Sequence, residues 1–586
     1  MMWARRIIAL AGCCAAGFAY AQNPTPACAP TTGELYAQIR SVGLDPGRVY
    51  RVRDASVDRP GFHLDLEDGT LAFTADVCGR ITGAFFEGDG EVRLRPPNKV
   101  ERASLTLFTG MAILEEQFHA AYLRFNDDTA ARLGPFLSPA IDGPEFFKEW
   151  DDSSRILAEF DALRLLLDFS HFLPSSSGAR PQAEPAFPSL LHVHILGRKL
   201  GAFEVVYDAA AGEPVWAGQP RSHDGEVFFD IWTSFVPASA SELAPRAADV
   251  SVTAFRIRAV VQPPTRLQVT TEVSLRVKNG GERTLLFELS RFLKIESIGQ
   301  DGRQLAFIQN PALDGSQLQR QRNDLVAVVF PAPLAKDQEL ELKFTYAGDV
   351  LSQAGNGLLY VGARGTWYPN LGLSPARFDM EFHYPASWTL LATGTQQPQT
   401  PGRNGEAGAD PGDGAAERVS RWIADQPIPV AGFNLGKYVR AEAKAGNVLV
   451  EAFGARGVER SFPQAPPEVI ESPTFPGRHK SATLGPIVVS PAPPSPARNV
   501  QAVADHAAQA IASFSRWFGP FPYSSLALTQ MPGDLSQGWP GLVFLSSFAF
   551  LSPQEQAEMR LDPVARDLDS QILVHETAHQ WWGDLV

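Results

Sequence analysis

The sequence has no run of lysine or arginine. Its 51 basic side chains are outnumbered by 65 acidic ones, for a formal net charge of −14. Nothing along it could track a phosphate backbone, so nucleic acid is not an expected partner. Beyond the first residues it also lacks an apolar run of the ~20 residues that a bilayer-spanning helix requires, and no transmembrane helix is expected. Cysteine is scarce, with four in 586 residues. Cys13 and Cys14 fall in a leader, which leaves Cys28 and Cys78 as either a disulfide in an oxidising compartment or two small buried apolar side chains. A hydrophobic share of 44% with 20% charged residues is that of a folded soluble protein, not of a disordered or membrane-embedded one.

What is present begins with a targeting segment. Arg5 and Arg6 precede an apolar stretch over residues 7–18, and Ala19-Tyr20-Ala21 before Gln22 has the small-residue pattern of a cleavage site. Residues 1–21 therefore read as a signal peptide. A competing string, Leu10-Ala11-Gly12-Cys13, has the form of a lipoprotein box and would anchor the protein through a lipid on Cys13. The first reading makes the protein periplasmic or secreted, the second a membrane-anchored lipoprotein. Both export it.

A chain of this length exceeds one core, and ~100 to 200 residues per domain predicts three or four domains. The texture predicts a multidomain α+β protein. Residues 22–245 mix strand-like alternation, as in Leu71-Ala72-Phe73 and around Phe85-Phe86, with the helical spacing of Ile156, Phe160, Leu163 and Leu167. They form an expected α+β region of unknown role. Residues 246–455 change to short alternating strands separated by Gly, Asn and Asp turns, which predicts an antiparallel β-sandwich. A proline-dense connector covers 456–498, and loops are predicted in the Ser- and Pro-rich stretch 174–188 and the Gly- and Asp-rich stretch 401–416. From residue 499 the spacing becomes helical in Val500, Val503, Ala507, Ile511 and Phe514. Strand-like Leu526-Ala527-Leu528-Thr529 and Leu542-Val543-Phe544-Leu545 follow.

A further helix is predicted after Pro563, with Asp567 and Asp569 in its early turns, where acidic residues suit the helix dipole. It carries His575, Glu576 and His579 with no proline or glycine before Gly583. Residues four apart on a helix lie one turn apart on one face, so His575 and His579 can present two imidazoles to one metal ion. Leu568, Ile572 and Glu576 are expected on that face. A carboxylate there can take a proton from water polarised by zinc.

The tail Gln580-Trp581-Trp582-Gly583-Asp584 makes this string resemble the gluzincin metallopeptidases of the membrane alanyl aminopeptidase (aminopeptidase N) family. Upstream, Trp517-Phe518-Gly519-Pro520-Phe521-Pro522-Tyr523 and Trp367-Tyr368-Pro369 are similar to that family's signatures. The resemblance covers roughly residues 249–586 and leaves the first region outside it. It implies a saddle-like β-domain at 246–455 packed on the start of a thermolysin-like catalytic domain at 499–586. It also implies one Zn2+ ion, peptide substrates, His575 and His579 as zinc ligands, and Glu576 as general base and then acid. The family's third ligand, a glutamate, would lie beyond Val586, so the protein is expected to continue past that residue.

One stretch departs from the family. Its exopeptidases carry Gly-x-Met-Glu-Asn on an edge strand ahead of the metal helix, and the glutamate grips the substrate's free amine. Here the stretch reads Gln537-Gly538-Trp539-Pro540-Gly541-Leu542-Val543, and anchoring on Gly541 puts Gly538 at the glutamate position and Trp539 at the asparagine position. Gly538, Trp539, Pro540 and Gly541 are the candidate substrate-binding residues, yet none offers a carboxylate. Asp534, the nearest, sits beside Gly533 as turn formers do. Two functions follow: a zinc metallopeptidase, aminopeptidase-like but with exo- or endopeptidase action open, or a non-catalytic peptide-binding scaffold that retains the fold. The intact Glu576 favours the first, because a binding relic has no use for a base between two ligands. Elsewhere, His192 and His194 read as structural histidines on one strand face, and Glu115, Glu116, Glu149, Asp151 and Asp152 as solvated.

Overall fold

The computed structural model describes residues 28, 31–140, 144–174, 187–223, 226–238, 250–311, 322–355, 357–361, 366–372, 374–398, 417–457, 459, 462, 468–470, 487–489, 494–533 and 535–583. The leader with Cys13, the predicted loop 401–416 and most of 174–188 lie outside these residues, as does Asp534. The architecture is multidomain α+β, dominated by antiparallel sheet.

The first region is built on a nine-stranded sheet that runs from Glu226–Phe235 at one edge to Leu137–Pro139 at the other. Its neighbouring strands pair antiparallel, and the long hairpin Leu44–Arg59 with Phe62–Thr74 turns at Gly61, whose φ of 78° suits glycine. Side chains alternate between its two faces, and both faces are covered. Phe86, Leu71 and Leu123 enter one apolar cluster with Leu105 of the helix Lys99–Thr109. Their sequence neighbours Phe85, Ala72 and Tyr122 enter another, with Leu35 of the helix Thr32–Arg40 and Leu166 of the helix Pro144–Phe169. Cys28 and Cys78 are joined to each other, Cα atoms 4.2 Å apart. Glu116, read as solvated, is buried, and its Oε1 accepts the backbone N–H of Leu200 at 3.1 Å. Alternation alone does not reveal that this strand face lies under the hairpin turn at Lys199–Leu200.

The second cluster does not stop at the domain boundary. It takes in Ala327 and Val329 from the three-stranded sheet of the next region. Arg283 fastens the junction: its buried guanidinium donates to the carbonyls of Ser170 at 2.8 Å, Leu173 at 2.7 Å and Phe330 at 2.8 Å. That region holds eight-, three- and four-stranded sheets around one core. Its pairings are antiparallel except between Val250–Gln262 and Arg377–Pro385, which run parallel. Trp367 is buried at the centre and donates Nε1–H to the Ala431 carbonyl at 2.8 Å.

The strands Tyr438–Ala445 and Val448–Ala455, expected within the sandwich at 246–455, pair instead with the region that follows the connector. Val448–Ala455 lies parallel to Ser525–Met531, which lies parallel to Leu542–Ser546. Parallel neighbours need a crossover, and the helix Val500–Phe518 packs on the sheet through Val503, Ala507 and Ile511. Alternation shows that a strand is half buried but not which sheet buries it. Within the connector 456–498, Glu468–Ile470 and Ile487–Val489 pair as a two-stranded ribbon.

Candidate metal centre

The helix Pro563–Ala578 begins on a proline, where a missing N–H costs nothing, and Asp562 Oδ1 accepts the Val564 N–H at 2.8 Å. It packs through Leu573 into the cluster that holds Val543, Leu545, Ile511 and Trp581. That burial leaves His575 exposed and draws Glu576 inward to 4% exposure. His579 falls in the turn that continues the helix. The two imidazole centroids stand 4.9 Å apart with the rings 88° to one another.

His579 Nδ1 lies 2.9 Å from the carbonyl of Trp582. A carbonyl only accepts, so Nδ1 carries the proton and Nε2 presents its lone pair, the arrangement of a metal-binding histidine held by an outer hydrogen bond. Glu576 Oε2 is buried with no hydrogen-bond partner among the described residues. Burial pushes the Glu576 carboxyl above the usual range, and His579, His575 and the Gly538 amide only partly draw it back. Among the described residues no group of three His, Cys, Asp or Glu side chains is placed to hold a metal. His575 and His579 fit two of the three protein ligands a catalytic zinc takes, and the unpartnered Glu576 oxygen fits a base beside it.

The candidate substrate-binding residues lie directly over this helix. Gln537–Trp539 is the last strand of the five-stranded sheet, paired antiparallel with Leu542–Ser546. At Gly538 the strand touches the helix: a Cβ placed there would sit 2.4 Å from the Glu576 carbonyl oxygen and 2.8 Å from His579 Cβ. Only glycine allows this approach. Trp539 lies across Gly432 of the β-region, where a Cβ would fall 2.0 Å from the indole, and edge-on to Phe544 at 5.1 Å. A cleft between the two regions is lined by Tyr360, Phe433, Asn434, Met531, Gln537 and Trp539. Pro540 and Gly541 form the turn back into the sheet, Gly541 at φ 69°.

Two residues without an assigned role support this strand. Gln580, known from the sequence only as part of the tail, bonds the turn on both sides, from Gly541 N–H at 2.8 Å and to the Trp539 carbonyl at 2.9 Å. Glu459 is buried and accepts the Gly533 N–H at 2.8 Å, holding the loop that leads into the strand. It falls in the proline-dense stretch, where no periodic pattern marks it.

In the first region, His192 and His194 sit in a buried polar chain. His192 reaches Asp161 at 2.7 Å and Glu204 at 2.9 Å, and His194 reaches Glu204 at 2.6 Å. Both ring nitrogens of His192 are thus taken up by carboxylates. Tyr122 donates to the other oxygen of Asp161 at 3.2 Å.

No protein-family model and no curated protein matches this chain. Among solved structures it is similar to the M1 zinc metallopeptidase from Deinococcus radiodurans, at 19% identity and a TM-score of 0.38 over 58% of this chain and 66% of that one. It is also similar to a mutant of that enzyme bound to a Tyr-Ser-Ala substrate, at 20% identity and a TM-score of 0.37. A two-domain M1 zinc metallopeptidase mutant bound to L-tryptophan gives 19% identity and a TM-score of 0.37. The chain thus spans 66% of the length of these solved structures.

Proposed function

We propose that this protein is an exported zinc-dependent metallopeptidase that hydrolyses peptide bonds in an extended chain laid along the strand Gln537–Trp539. The observation that carries the reading is Glu576, a buried carboxylate whose Oε2 has no hydrogen-bond partner among the described residues, on the segment whose two imidazoles stand 4.9 Å apart, centroid to centroid. His575 and His579 would hold the zinc ion, which when bound would supply Lewis acidity to a scissile carbonyl and a water. Glu576, on the same segment as those two histidines, would serve as the base that takes a proton from water and as the acid that returns it to the leaving amine. Among the described residues Gln537–Trp539 is the edge strand of its sheet, where an extended peptide can add as a further strand, with the Trp539 carbonyl already taken by Gln580.

The same strand gives no grip on a free amine. Gly538 cannot be replaced by a longer side chain while the strand rests on the helix, so the position that carries a glutamate in the family's exopeptidases holds none here. The reading is therefore peptide hydrolysis guided by backbone pairing, with little demand for a free amino terminus.

Zinc content and turnover of internally quenched peptides test it. Glu576→Gln is expected to keep zinc and lose at least ~1000-fold in turnover. Turnover unchanged in that variant would sink the proposal. Free and acetylated versions of one peptide are expected to be cleaved within ~10-fold of each other, a desolvated ion pair being worth more than that. A strict requirement for the free amine would show a carboxylate gripping it elsewhere.

A further inference from the structure

We infer that Gln580 is a positioning residue: its side-chain amide fixes the edge strand against the metal helix and so sets where a bound peptide lies relative to Glu576. The inference rests on the peptidase reading and adds to it a residue with no contact to metal or substrate.

Gln580 is 0% exposed and directly follows His579. Its Oε1 accepts the Gly541 N–H at 2.8 Å and its Nε2 donates to the Trp539 carbonyl at 2.9 Å. These two main-chain groups flank Pro540, which has no N–H of its own to help close the turn. The other side of Gly541 is fixed as well, its carbonyl accepting the Ala527 N–H at 3.0 Å. The turn is therefore pinned from the sheet and from the metal helix together.

A carboxamide meets this need because it carries an acceptor and a donor in one plane. Glutamate would offer no donor to the Trp539 carbonyl and would bring a charge into a fully buried place. Methionine would fill the volume and leave both main-chain groups unpaired. With the clamp at Trp539 and the close contact at its neighbour Gly538, the short strand is held at two adjoining residues against the segment that bears Glu576 and the two histidines. A displacement of about 1 Å at such a site costs ~100-fold in rate.

The test compares wild type with Gln580→Met and Gln580→Asn; the second keeps the amide but shortens its reach, and serves if the first fails to fold. Hydrogen exchange read by mass spectrometry is expected to quicken at least ~10-fold in residues 537–545 and to stay unchanged in the helix around His575, with zinc content retained. Against an internally quenched peptide, kcat/KM is expected to fall about 100-fold, with KM rising. A purely structural role would lower Tm and leave kcat/KM per folded molecule within twofold of wild type; that result, or unchanged exchange in 537–545, overturns the inference. The exchange measurement needs no turnover, so a protein that hydrolyses nothing would defeat the peptidase reading while leaving the clamp to be judged on exchange and on peptide binding to Glu576→Gln.

Discussion

At Gly538 a single hydrogen in place of a methyl group decides how close a strand can come to the helix that carries His575 and Glu576. Gly538→Ala would drive a Cβ into the Glu576 carbonyl oxygen, 2.4 Å away, and backbone cannot yield as a flexible side chain can. The expected loss is about 1–3 kcal/mol in denaturant unfolding, and, on the proposed peptidase reading, most of the turnover with it. Unchanged stability would mean that the strand does not rest on the helix. That His575 and Glu576 lie on one helix, with His579 in the turn that continues it, was legible in the sequence because helical spacing is local. The contact at Gly538 was not legible, because the atoms it must avoid come from a helix far along the chain. For Gln580, the type could be read as part of a string, whereas its two bonds to the turn could not.

Elements raise a different difficulty. The helices Val500–Phe518 and Pro563–Ala578 follow their apolar spacing and their proline and glycine boundaries closely. Strand partners follow no such rule: Tyr438–Ala445 and Val448–Ala455 have the same short alternating texture as the strands before them and join another sheet. The join between the first region and the β-region was also hidden. It depends on Arg283, whose guanidinium gathers carbonyls from the segment after the helix Pro144–Phe169 and from Phe330. Arg283→Met keeps much of the volume but leaves those buried acceptors unpaired, for an expected loss of about 3 kcal/mol. Calorimetry checks this, and a melting profile that does not move would show the junction to be held by its apolar contacts alone.

For the molecule as a whole, the buried chain of Tyr122, Asp161, His192, Glu204 and His194, with Arg124 reaching Tyr122, ties stability to pH. Burial by itself would lower the His192 pKa, but Asp161 and Glu204 hold it up at about 10, against 6.5 for a free histidine. Its contribution is complete below pH 6.5 and is lost as pH rises toward 10. Glu204 runs the other way: burial would raise it, yet the two histidines bring it to about 2 from 4.5, so its contribution is lost as pH falls through that interval. Tm is expected to be highest between about pH 4.5 and 6.5 and to fall on both sides, the alkaline fall being removed in His192→Leu. An alkaline limb that survives this substitution would place its origin elsewhere. The parallel join of Val448–Ala455 to Ser525–Met531 bears on something else, the order in which the protein is made. The hairpin leaves the ribosome with its outer edge bare, and roughly 70 more residues must emerge before its partner arrives. During that interval the nascent chain carries an open strand edge, so protection by a chaperone would matter most at this stage of synthesis.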